Sequence, residues 1–288
     1  LTVVEPTSNG IGGDSFALVW VKDKLYGLNS SGKSPKTISI ESLRERGVTE
    51  IPKYGFIPVT VPGAPAAWAE LSKRFGRLPL TDVLEPAIRY ASEGYVLTPN
   101  VAKLWGNAFK LFKENFVGEE FDNWFKTFAP LGRAPKAGEV WKSPDHAETL
   151  KEIAETNAES FYRGDLADKI DAFSRKYKGY ITKEDLEEFK CEWVDPISVN
   201  YRGYDVWEIP PNGHGIVALI ALNIAKGFEF GARDTVDTLH KQIESMKLAF
   251  VDGQTHIADP RMMKVTIDEL LSEEYAQKRR GLIGDTAI

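Results

Sequence analysis

The run Pro196-Ile197-Ser198-Val199-Asn200-Tyr201-Arg202-Gly203-Tyr204-Asp205-Val206-Trp207-Glu208-Ile209 reads as two strands joined by a tight turn at Arg202-Gly203. Pro210-Pro211-Asn212-Gly213-His214-Gly215 then forms a loop, and Ile216 to Ile224 follows, apolar on every side. A helix without a polar face belongs inside, so the loop feeds a buried helix. Working outward, a second hairpin lies near the start. Phe16-Ala17-Leu18-Val19-Trp20-Val21 and Leu25-Tyr26-Gly27-Leu28-Asn29 flank the polar turn Lys22-Asp23-Lys24. Its strands carry few charges, so at least one face is expected to be buried. Two antiparallel hairpins with helices packed over them make the class α+β.

Helices fill the stretches between. One begins at Pro65, runs through Ala66, Ala67, Trp68 and Leu71, and stops at Gly76, with proline near the start and glycine past the end. Thr81 is the expected cap of a second, ending near Gly94, with Pro86 bending or shortening it. Residues 100–142 hold Trp105, Phe109, Phe112, Phe116, Phe121, Trp124, Phe125 and Phe128 with little clean period, and are expected as an irregular helical insertion. Ser143-Pro144 opens a helix carrying Ala147, Leu150 and Ala154, and another places Leu166, Ile170 and Phe173 at helical spacing. Thr182 with Asp185 resembles a capping box. Val236, Leu239, Ile243, Met246 and Phe250 step by 3 and 4, one apolar stripe on one helix. No repeat or low-complexity linker interrupts the chain, so 1–288 is expected as a single domain.

Composition excludes several classes. Of 288 residues, 42% are hydrophobic and 27% charged, which rules out long disorder, collagen and disulfide scaffolds. The longest apolar run, Ile216 to Leu222, is far short of the ~18 residues of a membrane span. The 36 basic and 42 acidic residues give a net charge of −6, and Lys278-Arg279-Arg280 is the longest basic block, which argues against nucleic acid as a partner. Cys191 is the single cysteine, so no intrachain disulfide forms and the compartment stays undecided. Its acidic neighbours are expected to raise the thiol pKa. The chain starts at Leu1, with Leu1-Thr2-Val3-Val4 reading as a strand in progress, and is expected to be a piece of a longer precursor.

Chemistry is sparse. Gly10-Ile11-Gly12-Gly13-Asp14 precedes a strand instead of a helix, so it reads as a tight turn needing positive φ, not a phosphate loop. His146, His214, His240 and His256 lack metal-ligand spacing, and neither metal nor cofactor is expected. Two loops remain as candidates. Ser31, Gly32 and Lys33, within Asn29-Ser30-Ser31-Gly32-Lys33-Ser34-Pro35, can offer backbone N–H groups and an ammonium to an anionic ligand. Asn212, Gly213 and His214 precede the buried helix, whose first N–H groups and positive dipole end need a partner. Neither loop holds a nucleophile.

Taken in order, several segments resemble the large chain of the gamma-glutamyltransferase family. They are Val3 to Gly13, Val61-Pro62-Gly63-Ala64-Pro65-Ala66-Ala67-Trp68, Gly76-Arg77-Leu78-Pro79-Leu80 and Phe161-Tyr162-Arg163-Gly164. Ile181 to Leu186, Tyr201-Arg202-Gly203-Tyr204 and the Pro210-Pro211 loop complete the set, which extends to about Asp259-Pro260.

The resemblance implies an N-terminal-nucleophile hydrolase with an αββα sandwich, of which this would be the large-chain part only. It also implies a self-cleaving precursor whose small chain begins with a threonine that attacks a γ-glutamyl amide. The catalytic residue would then lie outside this chain. The implied partners are that small chain and a small-molecule γ-glutamyl or glutaryl amide, with room for a homo-oligomer of such heterodimers. One departure matters. Where typical members carry an arginine that grips the glutamyl α-carboxylate, this sequence has Ser31, with Lys33 two positions on. A hydroxyl does not replace a bidentate guanidinium. That version looks more like the amidohydrolase and cephalosporin-acylase-like branch, some of which take a glutaryl group, and weak transpeptidation is expected. The competing expectation is a non-catalytic relative acting as a binding or scaffold module.

Overall fold

The computed structural model describes residues 1–287. In chain order come strands β1 (Ser15–Val21) and β2 (Lys24–Ser30), then helices α1 (Ile40–Glu45), α2 (Ala64–Phe75) and α3 (Leu80–Glu93). Next are β3 (Tyr95–Val96), α4 (Pro99–Asn115), α5 (Asp122–Phe128), β4 (Val140–Trp141) and α6 (Pro144–Thr156). Then follow α7 (Glu159–Arg163), α8 (Asp165–Lys176), α9 (Lys183–Glu187), β5 (Glu192–Val194), β6 (Ile197–Tyr201) and β7 (Tyr204–Glu208). The last are α10 (Gly215–Ala225), α11 (Val236–His256), α12 (Ile267–Leu270) and α13 (Glu273–Arg280). The mixture of helix and antiparallel sheet is α+β, as the two hairpins imply.

The chain packs as two compact units. The first comprises Leu1–Ser15 and Ser30–Cys191. It is helical around two cores. In one, Val61, Ile153, Phe161, Tyr162, Leu186 and Phe189 pack together. In the other, Trp105 and Trp141 meet edge to face at 5.0 Å beside Leu97 and Leu150. Both indoles are satisfied: Trp105 Nε1 donates to the Phe128 carbonyl at 2.9 Å and Trp141 Nε1 to that of Thr127 at 3.1 Å. Within 100–142, α4 and α5 are bound by rings, Phe112 stacking on Phe116 at 4.3 Å with Trp124 edge-on to Phe112 at 4.8 Å.

Three local expectations are corrected here. Leu1–Val4 is a turn and not a strand. The Gly10–Gly13 turn closes through Gly13 N–H to the Gly10 carbonyl at 3.2 Å, yet none of its glycines has positive φ. Helix α3 starts after Pro79 instead of Thr81 and runs through Pro86 to Glu93, because its apolar face packs on α6 along its length. The Thr182–Asp185 capping box is present: Thr182 N–H donates to Asp185 Oδ2 at 2.9 Å and Asp185 N–H to Thr182 Oγ1 at 3.4 Å.

The second unit comprises Phe16–Asn29 and the chain from Glu192 onward. Both hairpins close through left-handed pairs, Lys22 and Asp23 (φ 50° and 57°) and Arg202 and Gly203 (φ 55° and 90°). Two successive residues of positive φ match the twist of the flanking strands. Strand β5 adds to β2 antiparallel, Gly27 facing Val194 and Asn29 facing Glu192, so the sheet order is β1-β2-β5. The β6–β7 ribbon packs on α10, which also packs on α11 and α13. The core is Ile216, Val217, Ile220, Ile224, Leu248, Ala249 and Leu270. Among the described residues no helix is long and apolar enough to cross a membrane.

Candidate functional site

Each candidate loop is built inside its own unit. In the first unit, the chain leaving β2 lies backbone to backbone against Val61–Gly63. Ser30, fully buried, donates from Oγ to the Gly63 carbonyl at 2.7 Å, and Val61 N–H donates to the Lys33 carbonyl at 3.0 Å. A Cβ on Gly32 would lie 1.6 Å from the Val61 carbonyl oxygen, so only glycine fits there. Gly32 N–H is already committed to Asp14 Oδ1 at 3.1 Å. Ser31 and Gly32 are half-buried, whereas Lys33 is exposed and forms no ion pair among the described residues. The loop therefore presents one cation from a fixed backbone.

The start of α2 is closed. Gly63 and Ala64 N–H both donate to the Gly13 carbonyl, at 3.0 and 2.9 Å. Pro65 has no N–H, and Ala66 N–H donates to Tyr162 Oη at 3.2 Å. Tyr162 Oη in turn donates to the Pro62 carbonyl at 2.7 Å. The donors that a helix start usually leaves to an anion are thus used internally. This gives Gly10–Gly13 its role: its last carbonyl caps a helix.

A cleft of about 860 Å³ opens beside α2 and α7, lined in part by Lys73, Tyr162, Arg163, Lys190 and Cys191. Two of its lining groups are perturbed by burial. Burial pushes the Tyr162 phenol far above its ordinary value. Burial also raises the Cys191 thiol, against a lowering contact from Ser30 Oγ at 3.1 Å. The direction for Cys191 agrees with the sequence reading, but the main cause is desolvation and the charge involved is Glu70, not the neighbouring acidic helix.

In the second unit, His214 is the N-cap residue of α10, yet its side chain makes no capping hydrogen bond. Its carbonyl accepts from Val217 N–H at 3.0 Å. The carboxylate of Glu208, at the end of β7, stands at the helix start instead: a Cβ on Gly215 would lie 2.4 Å from Glu208 Oε2. A negative group there complements the positive end of α10. Asn212 is exposed and is held by Asn29, whose Nδ2 donates to Asn212 Oδ1 at 2.9 Å. A Cβ added at Gly213 would lie 3.6 Å from the Phe16 ring and 4.0 Å from the Pro210 carbonyl oxygen, which is ordinary contact.

Sequence reasoning missed Asp14, Asn29, Gly63, Tyr162 and Glu208 as the groups that shape these loops. Gly63 and Tyr162 sit inside segments that carry the family resemblance, so their motifs were the available signal. Glu208 and Asn29 act across distances that no local pattern records. Among the described residues no group of three His, Cys, Asp or Glu side chains is placed to hold a metal.

The sequence profile of the family described as Gamma-glutamyltranspeptidase matches residues 1–288. A glutathione hydrolase-like YwrD proenzyme of Bacillus subtilis is 32% identical over 295 residues, covering 100% of this chain and 54% of the relative. A crystal structure of cephalosporin acylase from Bacillus halodurans superposes with a TM-score of 0.96 at 61% identity, over 99% of this chain and 53% of that one. Helicobacter pylori gamma-glutamyltranspeptidase superposes with a TM-score of 0.90 at 26% identity, over 100% of this chain and 83% of that one. The chain spans about half the length of the curated relatives it matches. With its whole length matched by one profile and its fold shared with these structures, the chain belongs to the gamma-glutamyltranspeptidase family.

Proposed function

We propose that this chain is the large-chain part of an amidohydrolase that cleaves γ-glutamyl or glutaryl-type amides, its nucleophile being the N-terminal threonine of a separate small chain. One observation carries the reading: the chain matches end to end, yet covers only 51–54% of its proenzyme relatives. The same stretch covers 83% of the H. pylori chain, so a polypeptide of similar length occurs there on its own.

The small chain also supplies the missing layer of an αββα sandwich in this reading. On β1, Phe16, Leu18 and Trp20 alternate on one exposed face, an apolar sheet surface suited to a second sheet.

In the reaction, the free α-amine of the small chain's threonine takes the proton of its own hydroxyl as the oxygen attacks the amide carbonyl. The C–N bond breaks, the amine leaves with a proton, and an ester remains. Water then attacks that ester, releasing the acid and the free threonine. Backbone N–H groups stabilise the oxyanion in both steps. On the large chain, Lys33 contributes a point charge to a substrate carboxylate, and Ser31 leaves no guanidinium to fix an α-amino acid end. The pocket therefore favours a glutaryl-type acyl group over a γ-glutamyl one.

The test is an assay of the full-length protein on γ-glutamyl-p-nitroanilide and on glutaryl-p-nitroanilide, with and without glycylglycine. Faster hydrolysis of the glutaryl amide with little transfer is the expected result. Selective use of the γ-glutamyl amide with efficient transfer to glycylglycine contradicts it.

A further inference from the structure

The large cleft of the first unit has the build of a ligand site. It lies between α2, α7 and residues 189–191, wholly within that unit, and its volume of about 860 Å³ is that of a small-molecule pocket. Its apolar lining includes Ala66, Ala69, Leu78 and Phe189. Leu78 keeps 58% of its surface exposed, whereas Phe189 is buried and stacks on Tyr162 at 5.3 Å.

That floor is fixed before anything binds. Tyr162 Oη donates to the Pro62 carbonyl at 2.7 Å and accepts from Ala66 N–H at 3.2 Å. Arg163 Nη2 donates to the Phe189 carbonyl at 3.2 Å, and Cys191 Sγ meets Ser30 Oγ at 3.1 Å. Walls held this way lose little freedom when a ligand enters.

Three cations stand around the apolar wall. Lys73 and Lys190 are exposed and form no ion pair among the described residues. Arg163 reaches Glu159 at 3.3 Å, a solvent-exposed i,i+4 contact of little strength. Glu70 and Glu159 are the carboxylates lining the same cleft, so cations outnumber anions there in a chain whose net charge is −6. The smaller cleft between α3 and α6, about 370 Å³, has the opposite balance: Glu85, Glu93 and Glu155 against Arg89 and Lys151. Arg89 is also taken, by Glu85 at 3.4 Å.

We infer that the cleft beside α2 and α7 binds a small organic monoanion, one carboxylate on a flat apolar body. The apolar wall takes the body, and the unpaired ammonium groups of Lys73 and Lys190 take the charge at the rim. A polyphosphate fits less well, because the N–H groups at the start of α2 are already committed to Gly13 and Tyr162. Such a site needs neither a second chain nor a nucleophile, so its test is separate from that of the proposed function.

The experiment is isothermal titration of the full-length protein with 2-naphthoate and with its uncharged analogue 2-naphthamide. One saturable naphthoate site is expected, with naphthamide bound about fivefold or more weakly. Lys73→Ala with Lys190→Ala should weaken naphthoate about fivefold and leave naphthamide unchanged, the scale of two exposed charge pairs. Leu78→Ser should weaken both compounds. All three side chains are exposed, so circular dichroism should not change in these variants. Lys33→Ala should leave naphthoate binding as it was, which separates the cleft from the Ser31–Lys33 loop. No saturable binding, equal affinity for acid and amide, or binding untouched by the Lys73 and Lys190 changes overturns the assignment. Loss of binding in Lys33→Ala also overturns it, by moving the anion to that loop.

Discussion

Ser30 and Gly63 are in contact through both backbones: Ser30 Oγ donates to the Gly63 carbonyl at 2.7 Å, and a Cβ on Gly63 would lie 1.8 Å from the Ser30 carbonyl oxygen. This approach holds the Ser31–Lys33 loop against the start of α2. Gly63→Ala is therefore expected to cost about 1–3 kcal/mol or more, since a backbone and not a flexible side chain must move. Gly12→Ala, with nothing within 4 Å of the new methyl, is the control and stays within about 0.5 kcal/mol. Chemical denaturation of both variants checks the contrast.

Asp185 reaches further than its helix. It accepts from Thr182 N–H and Oγ1 at 2.9 and 2.8 Å and, across the chain, from Lys36 N–H at 2.9 Å. Thr182→Ala removes a cap and is expected to cost about 1 kcal/mol. Asp185→Ala leaves several donors unmet and costs more, roughly 2–4 kcal/mol. Equal losses in the two variants would mean that the bond to Lys36 carries no weight.

Arg280 closes the far end of the buried helix. Its Nε donates to the Ile224 carbonyl at 2.9 Å and one terminal nitrogen to that of Asn223 at 3.0 Å. Arg280→Ala is expected to destabilise the protein by roughly 2–4 kcal/mol, because charge-assisted bonds to buried carbonyls are lost. Arg280→Lys recovers little, since an ammonium cannot serve both carbonyls in one plane. Thermal melts of the three proteins test this.

His146 gives a pH dependence. Burial lowers its pKa below 6.5, and its Nε2 is buried without a partner. The unfolded chain thus binds more protons in the window between the lowered value and 6.5. Stability rises with pH across that window and is lost as pH falls through it. His146→Gln should flatten the slope of melting temperature just below pH 6.5. An unchanged slope assigns the effect to other groups.

How much of this was legible in sequence follows the range of the forces. The turns at Lys22-Asp23 and Arg202-Gly203, the box at Thr182 and Asp185, and the proline start of α2 each depend on residues within four positions, and all were readable. The pairing of β2 with β5 joins Gly27 to Val194, and the carboxylate beside α10 comes from another element; neither leaves a local mark. Pattern gave the period of α11 but not which face is buried, because buried Glu244 and Asp252 are tolerated only through Lys247 and Arg279. At the candidate loops, Ser31, Lys33 and Asn212 were nameable as polar loop residues. Their fixing by Val61, Gly63 and Asn29 was not.

Lys33 is the exposed cation of its loop, so Lys33→Ala is expected to raise KM for a carboxylate-bearing amide by about 2–5-fold with kcat unchanged, the size of one exposed charge pair. A steady-state comparison on glutaryl-p-nitroanilide and an uncharged butyryl analogue reads it. An equal change on both would remove Lys33 from substrate recognition.

The most direct measurement is N-terminal sequencing of the full-length protein after purification and separation on a denaturing gel. The account predicts two polypeptides, the smaller beginning with threonine, and a single uncleaved polypeptide when that threonine is changed to alanine. One intact polypeptide from the unaltered gene, with no new threonine terminus, would contradict it.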